Sequence, residues 1–302
     1  MNAVSILGPV AALVALALII YAFFIEPYRL RLSRADIYFE NLPESLDGFR
    51  ICHISDTHTS RYGRLERKLS ELLSSIEADL CVITGDLLNA RKGIEALCRA
   101  LNLFNPRFGV FAVPGNGDHK AAVRLSEWSA EPEQLGIRLL QNSSITLLSD
   151  GANLSIIGVD DPFLGLGDIA RAMSGAAEEG FKLLLAHSPD IVMEMGGRSV
   201  DLILAGHTHG GQIRIPLLGT IWFHCRYSLR LSHGYYGPEA LSRAVGRDTR
   251  GLHMYVSRGV GSGPFSPRFM CPPEVALITL HRGFRTGAKK VYPKWKTGNF
   301  AG

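Results

Sequence analysis

Five short segments of this 302-residue chain combine Asp, Asn and His in the manner of divalent metal sites. The segments are Ser55–His58, Gly85–Asn89, Pro114–His119, Ala186–Asp190 and Ala205–Gly211. Carboxylates, an amide oxygen and imidazoles together suit Mn, Fe or Zn, rather than Ca or a thiolate-bound metal. Any one segment alone is more simply explained as a turn or a helix cap, because Asp and Asn favour both. Five such segments in succession instead predict one shared metal site.

The elements that position these segments are short apolar runs rich in β-branched residues. These runs are Phe49–Ile54, Leu80–Thr84, Val110–Val113, Leu154–Val159, Lys182–Ala186 and Leu202–Leu204. Apolar residues recur at helical spacing between some of them, in Leu65–Ile76 and Gly93–Leu103. Strands alternating with helices predict an α/β fold with a largely buried sheet. In such sheets ligands bind beyond the carboxyl ends of the strands, which is where the polar segments lie.

The order D-x-H, G-D-x-x-N, G-N-x-[DE], H and G-H-x-H, from about residue 45 to 215, resembles the calcineurin-like metallophosphoesterase superfamily. The Gly206–Gln212 run, GHTHGGQ, is similar to a bacterial branch whose members often carry an N-terminal membrane or signal segment. The similarity continues to about residue 280 through Tyr255–Gly261 and the Cys271–Glu274 run. This resemblance implies a four-layer α/β/β/α sandwich, here preceded by one N-terminal transmembrane helix.

The resemblance also implies which residues bind two divalent metal ions. Asp56, His58, Asp86 and His209 would hold one ion. Asp86, Asn116, His187 and His207 would hold the other, with Asp86 bridging. Two ions about 4 Å apart can share a hydroxide and clamp the phosphoryl oxygens during in-line attack. The chain is therefore expected to be a metal-dependent phosphoric ester or pyrophosphate hydrolase. Mn is the favoured metal, with Fe and Zn as alternatives, and Asn89 is expected to support a ligand rather than to be one.

The chain departs from the superfamily pattern at Gly117, where G-N-H-[DE] would place a histidine that protonates the leaving group. His119, two residues later, is the candidate substitute acid, although a histidine on the surface is the simpler interpretation. The predicted catalytic residues are Asp86, Asn116 and His119. General acid catalysis contributes about a hundred- to ten-thousand-fold and matters most for a basic alkoxide leaving group. Its loss therefore favours a phosphoanhydride substrate. The related UDP-2,3-diacylglucosamine pyrophosphatases of lipid A synthesis also lack this histidine.

The N-terminal segment predicts a membrane anchor. Val4–Ile25 contains no charged residue and is long enough to cross a bilayer. No basic segment precedes it, which favours an uncleaved anchor over a signal peptide. Arg29, Arg31 and Arg34 follow directly, so the positive-inside rule places the catalytic domain in the cytoplasm. We expect a single-pass protein of the cell inner membrane.

Composition limits the remaining interpretations. The net charge of +4 comes without a concentrated basic stripe, which argues against a nucleic-acid partner. Five cysteines without a CxxC pair predict buried, reduced thiols. The predicted ranges are an anchor over 1–28, a linker or entry strand over 29–44, a metallophosphoesterase domain over 45–284 and a basic tail over 285–302.

The substrate prediction combines the anchor with Gly117. The partners are expected to be a membrane and a phosphorylated, lipid-linked small molecule, most specifically UDP-2,3-diacylglucosamine cleaved to lipid X and UMP. Arg226, Arg258 and Arg268 are candidates to neutralise its phosphates. The apolar Ile213–Phe223 run is either an acyl-chain groove, a membrane-interface segment or a buried hairpin. A broad-specificity phosphodiesterase and a non-catalytic metal-binding scaffold stay open as alternatives.

Overall fold

The computed structural model describes residues 3–90, 92–120, 136–216, 218–220, 225, 230–249, 251–263 and 267–284. The helices are α1 (Ala3–Ile20), α2 (Arg64–Leu73), α3 (Gly93–Leu101), α4 (Asn116–Lys120), α5 (Ile169–Met173) and α6 (Pro238–Val245). The first strands are β1 (Arg31–Phe39), β2 (Arg50–Ile54), β3 (Leu80–Thr84), β4 (Val110–Val113), β5 (Ile137–Leu139), β6 (Ser143–Ser149) and β7 (Ala152–Gly158). The later strands are β8 (Phe181–Leu185), β9 (Leu202–Ala205), β10 (Arg214–Ile215), β11 (Gly219–Thr220), β12 (Gly234–Tyr236), β13 (His253–Val256) and β14 (Glu274–Arg282).

Two six-stranded sheets pack face to face. Their strand orders are β1-β14-β2-β3-β4-β5 and β12-β13-β9-β8-β7-β6, and β10 and β11 form a separate hairpin. The core between the sheets is built from alternate strand residues, which include Ile51, Val82, Phe111, Leu183 and Leu204. Alternate residues of a strand point to opposite faces, so each central strand contributes to this core and to a second one.

The second faces of the sheets are covered by helices. Leu69 and Leu73 of α2 and Leu97 of α3 pack against the first sheet. Ile169 of α5 and Leu241 of α6 pack against the second sheet. Helix, sheet, sheet and helix are thus stacked in order, which confirms the predicted four-layer α/β/β/α sandwich.

The central strands run parallel and end at one edge of the molecule. Strands β2, β3 and β4 are parallel neighbours in the first sheet, as are β7, β8 and β9 in the second. The predicted strands match the observed ones to within two residues at each end. All five polar segments follow strands at this shared edge, as predicted.

Two N-terminal elements precede the sandwich. The range predicted as a linker or entry strand contains β1, which pairs in parallel with β14 at the edge of the first sheet. Helix α1 continues through a π-helical turn, Tyr21–Ile25, and a 3-10 turn, Glu26–Tyr28. Residues Leu7–Tyr28 are long and apolar enough to cross a membrane. The thiols of Cys52, Cys81, Cys98, Cys225 and Cys271 are all free.

Candidate metal centre

The loops at the shared edge hold their functional side chains in unusual backbone conformations. Asp56, His58, Asp86, His207 and His209 all have positive φ, between 47° and 68°. Residues other than glycine rarely adopt this region, and such conformations persist where surrounding structure enforces them, often at functional sites. Here the Asp56 N–H donates to the Gly85 carbonyl at 3.0 Å and the His58 N–H donates to that of Asp86 at 2.9 Å. The loops after β2 and β3 therefore fix each other.

The first cluster of side chains contains Asp56, His58 and His209, whose candidate ligand atoms lie within 4.8 Å of one another. The Nε2 atoms of the two histidines are 3.3 Å apart. His209 Nε2 lies 3.5 Å from Asp56 Oδ1, and His58 Nε2 lies 3.5 Å from Asp86 Oδ2. Two nitrogens bound to one tetrahedral ion, each at about 2.0–2.1 Å, would lie at about this separation.

The second cluster contains Asp56, Asp86 and His187. His187 Nε2 lies 3.3 Å from Asp86 Oδ1 and 3.1 Å from His207 Nδ1. The opposite ring nitrogen of His187 is 2.9 Å from the Thr84 carbonyl. A carbonyl accepts only from N–H, so this contact puts a proton on Nδ1 and turns Nε2 towards Asp86, the orientation that a metal-binding histidine requires.

Asn89 orients the first cluster in the same way. Its Oδ1 lies 3.0 Å from His58 Nδ1, and its Nδ2 donates to the His58 carbonyl at 2.8 Å. The amide oxygen fixes the proton on His58 Nδ1 and leaves Nε2 to face His209. Asn89 thus supports His58, in agreement with its expected role.

Buried charge dominates the electrostatics of the centre. Burial opposes ionisation of Asp86, but the charge and hydrogen bond of His187, together with His58, hold the pKa of Asp86 far below its usual value. Burial raises the pKa of Asp56, an effect that His187 opposes. Burial and the neighbouring His58 lower the pKa of His209, which favours its neutral form. Buried carboxylates and histidines at this spacing are a donor set that a divalent cation would stabilise, and its binding would displace the proton that His187 shares with Asp86.

Asn116 supplies a further donor. It begins α4, directly after the loop that follows β4, and its Oδ1 is buried without a hydrogen-bond partner in the described part of the chain. Buried amide oxygens are almost always satisfied, so one without a partner beside a carboxylate and histidine cluster fits a metal ligand. The predicted seven-residue set therefore fits two ions, and each individual ligand assignment stays a prediction.

Gly117 lies directly against the centre. Its N–H donates to Asp86 Oδ1 at 2.6 Å. A Cβ atom at this position would lie 2.8 Å from Oδ1 and 2.9 Å from Cγ of Asp86. The backbone approaches Asp86 too closely for any side chain to be added without a shift.

His119, the candidate substitute acid, is paired with another carboxylate. Its Nε2 lies 2.7 Å from Asp160 Oδ1, and Gln141 donates to the other oxygen of Asp160 at 2.7 Å. The pair links α4 to the loop after β7, and neither residue belongs to the two ligand clusters. The catalytic role of His119 stays a prediction.

The predicted phosphate-binding arginines have internal partners. Arg258 forms a buried ion pair with Glu274 and also donates to Ser33 Oγ at 3.1 Å. Arg268 is fully buried and donates to the carbonyls of Arg258 and Gly261, among others. These contacts disfavour a substrate role for both guanidinium groups. Arg226 lies outside the described residues.

Two aspartates beside the centre were missed by the sequence reasoning. Asp160 and Asp161 follow β7 after one intervening residue, Val159, at the same distance from their strand as Asp56 and Asp86. Asp161 is fully buried and accepts from the N–H groups of Phe163 and Leu164. The Phe163 ring lies 4.7 Å from that of His207. The signal was the Asp-Asp pair at a strand end, which lacks the histidine or asparagine of the other segments.

Comparison with known protein families identifies the family that has this arrangement of residues. Residues 49–211 match the family described as calcineurin-like phosphoesterase. The chain belongs to the calcineurin-like phosphoesterase family. It is therefore a metal-dependent phosphoester hydrolase by family, and the members of this family use two divalent metal ions.

Three relatives span most of the chain. The uncharacterised metallophosphoesterase YkuE of Bacillus subtilis is 33% identical over 269 residues, covering 86% of this chain and 88% of the relative. The phosphodiesterase YaeI of Escherichia coli is 28% identical, covering 86% and 92%. The UDP-2,3-diacylglucosamine pyrophosphatase LpxG of Chlamydia muridarum is 27% identical, again covering 86% and 92%.

Proposed function

We propose that this protein hydrolyses a phosphoanhydride or phosphodiester bond in a lipid-linked substrate at a membrane surface, most specifically UDP-2,3-diacylglucosamine to lipid X and UMP. The observation that carries this proposal is Gly117, which stands where the family pattern has a histidine and whose N–H donates to Asp86 Oδ1. A site without that acid is best suited to a weakly basic leaving group, such as a phosphate. The similarity to LpxG over most of both chains supports this substrate class.

In this mechanism the protein's own side chains hold the ions and orient one another. Asp56, His58 and His209 would hold one ion, Asn116, His187 and His207 the second, and Asp86 would contact both. When bound, two divalent ions would supply Lewis-acid activation of the attacking water and would stabilise the charge that develops on the phosphoryl oxygens. The Gly117 N–H fixes Asp86 Oδ1, and the carbonyl of Thr84 fixes the tautomer of His187. Mn is our proposed metal.

The anchor supplies the membrane part of the proposal. A single apolar helix precedes the catalytic domain, and Arg29, Arg31 and Arg34 follow it on the domain side. This charge bias supports a cytoplasmic domain at the inner membrane. A nucleotide-linked lipid exposed at that face would meet the enzyme in the plane of the bilayer.

The test is release of UMP from UDP-2,3-diacylglucosamine by the full-length protein in detergent with added Mn²⁺. Asp86→Ala should abolish turnover, because it removes the carboxylate that is predicted to contact both ions. Asp150→Ala is the matched control, since Asp150 is an exposed carboxylate paired with Arg107 on the surface. Turnover no faster than that of Asp86→Ala would refute this substrate.

A broad-specificity phosphodiesterase is the second candidate, favoured by the similarity to the phosphodiesterase YaeI. Bis-p-nitrophenyl phosphate has a good leaving group and is expected to be cleaved in either case. Competition between it, the lipid-linked substrate and soluble diesters separates the two candidates. Metal binding without hydrolysis of any activated ester would instead support the non-catalytic scaffold.

A further inference from the structure

The catalytic domain contacts the end of the anchor at two places. At Tyr28, Lys68 of α2 donates to the backbone carbonyl at 2.8 Å, and the Arg64 guanidinium lies 4.8 Å from the centre of the ring. At Ala22, the backbone carbonyl accepts from the backbone N–H of Arg268 at 3.0 Å. The anchor is therefore packed against the domain, and its point of exit fixes which surface of the domain faces the bilayer.

The segment that contacts Ala22 continues into an exposed apolar surface. The segment Pro267–Cys271 contacts the anchor and is also hydrogen-bonded to the base of the β10–β11 hairpin. The Arg214 N–H donates to the Phe269 carbonyl and the Phe269 N–H to the Gln212 carbonyl, each at 2.9 Å. The exposed fractions are 53% for Met270, 39% for Ile215 and 79% for Leu218. These three side chains form what we call the apolar rim.

The contact at Tyr28 is surrounded by positively charged side chains. Arg64 and Arg67 are exposed on α2, three residues apart and thus on one face of the helix. Arg29 is exposed directly after the anchor and donates to the Tyr21 hydroxyl at 2.7 Å. These three residues form what we call the basic rim. The basic rim and the apolar rim are both attached to the same end of the anchor.

We propose that the basic rim and the apolar rim together rest on an anionic bilayer around the anchor, the basic rim on lipid headgroups and the apolar rim in the interface. Basic residues beside a membrane segment are attracted to anionic lipid, and exposed apolar side chains at the same depth leave water for the acyl boundary. The occupant of this surface is thus the lipid bilayer that the anchor enters.

This docking places the metal centre at the membrane surface. Cys271 Sγ donates to the carbonyls of His209 and Gly210 at 3.4 and 3.5 Å, so the segment that carries Met270 also supports a predicted metal ligand. The consequence for substrate rests on the proposed function: a phosphate group at headgroup depth could reach the ions while its acyl chains stay in the bilayer. The docking itself is independent of which bond is cleaved.

The test is photocrosslinking of the full-length protein in lipid nanodiscs. A benzophenone amino acid is placed at Met270, at Leu218 or, as a control, at Leu148. Leu148 is 68% exposed but pairs with Asn153 near the start of β7, away from the edge that carries the metal centre. Crosslinks to lipid at Met270 and Leu218, several-fold above those at Leu148, are expected. Equal labelling at all three positions, or crosslinks to protein alone, would overturn the proposal.

The charge contribution is tested in the same system with 0% or about 30% anionic lipid. Anionic lipid should increase lipid crosslinking at Met270, and the double variant Arg64→Glu/Arg67→Glu should lose that increase. Arg243→Glu on α6 is the matched control, because Arg243 is exposed on the outer helical layer of the second sheet. No loss in the double variant would refute the role of the basic rim. Since crosslinking needs no turnover, its result does not depend on whether UDP-2,3-diacylglucosamine is the substrate.

Discussion

The backbone N–H of Gly117 donates to Asp86 Oδ1 at 2.6 Å, in the position where the superfamily pattern has a histidine. The contact leaves 2.8 Å between that oxygen and a Cβ built on residue 117. The backbone of residue 117 therefore directly contacts the carboxylate that is predicted to bind both ions. The sequence alone shows the loss of a histidine at this position, and the structure adds that a Cβ here would require Asp86 to shift.

Replacing Gly117 tests this close approach. Gly117→Ala should push Asp86 out of position and lower Mn²⁺ affinity by about 10- to 100-fold, as disruption of ligand-orienting contacts commonly does. Gly117→His should behave similarly and gain no activity on alkyl monoesters, because its Cβ would displace Asp86 in the same way. Isothermal titration with Mn²⁺ and hydrolysis of bis-p-nitrophenyl phosphate measure the two effects. Gly167→Ala is the control, since a Cβ at Gly167 meets its nearest neighbour at an ordinary 3.4 Å. Wild-type affinity in Gly117→Ala would contradict the argument.

Asn89 should be needed to orient His58. Asn89→Leu removes the oxygen that lies 3.0 Å from His58 Nδ1 and frees the ring to change tautomer. We expect a loss of about tenfold in metal affinity, at the low end of such effects because the Asp86 carbonyl still holds the His58 backbone. Asn102→Leu, at an exposed position after α3, should leave the affinity unchanged. NMR of the His58 ring nitrogens would detect the tautomer directly, and an unchanged spectrum would refute the role.

The metal centre could be located from the sequence because its residues lie at a predictable place, directly after the strands. Polar residues at the carboxyl ends of parallel strands must meet at one edge, so Asp56, Asp86 and His187 could be brought together without knowing the loops. The partners of Arg258 and Arg268 could not be foreseen in this way. Arg258 meets Glu274 across 16 residues, and no periodicity in the sequence distinguishes a buried ion pair from a phosphate-binding arginine.

The Arg258–Glu274 ion pair should make the free energy of unfolding depend on pH in the acid range. Burial opposes ionisation of Glu274, but Arg258 outweighs it and lowers the pKa of Glu274 from an ordinary 4.5 to about 2. The carboxylate therefore stabilises the folded state above pH 4.5, and this contribution is lost as the pH falls from 4.5 to about 2. Glu274→Gln leaves the Arg258 charge buried and should lower the free energy of unfolding by about 3–5 kcal/mol at pH 7.

Urea unfolding of the detergent-solubilised protein at several pH values measures this contribution. The difference between wild type and Glu274→Gln should be largest at neutral pH and shrink between pH 4.5 and about 2. Glu77→Gln is the control, because Glu77 pairs with Arg50 at the surface with 85% of its side chain exposed. That change should cost less than about 1 kcal/mol. A pH-independent difference for Glu274→Gln would show that the ionised pair is not its source.

The anchor should influence the metal centre through Glu26. This residue is buried at the domain end of the anchor, and its carboxylate accepts the N–H of Cys271, the residue whose thiol contacts the His209 carbonyl. Glu26→Leu removes the acceptor, whereas Glu26→Gln retains an oxygen at the same place. We expect faster hydrogen exchange at Cys271 and several-fold weaker Mn²⁺ binding in Glu26→Leu, both restored in Glu26→Gln. Phe24→Leu, at an exposed position of the anchor, should change neither. Faster exchange without weaker metal binding would mean that the Cys271 segment does not position His209.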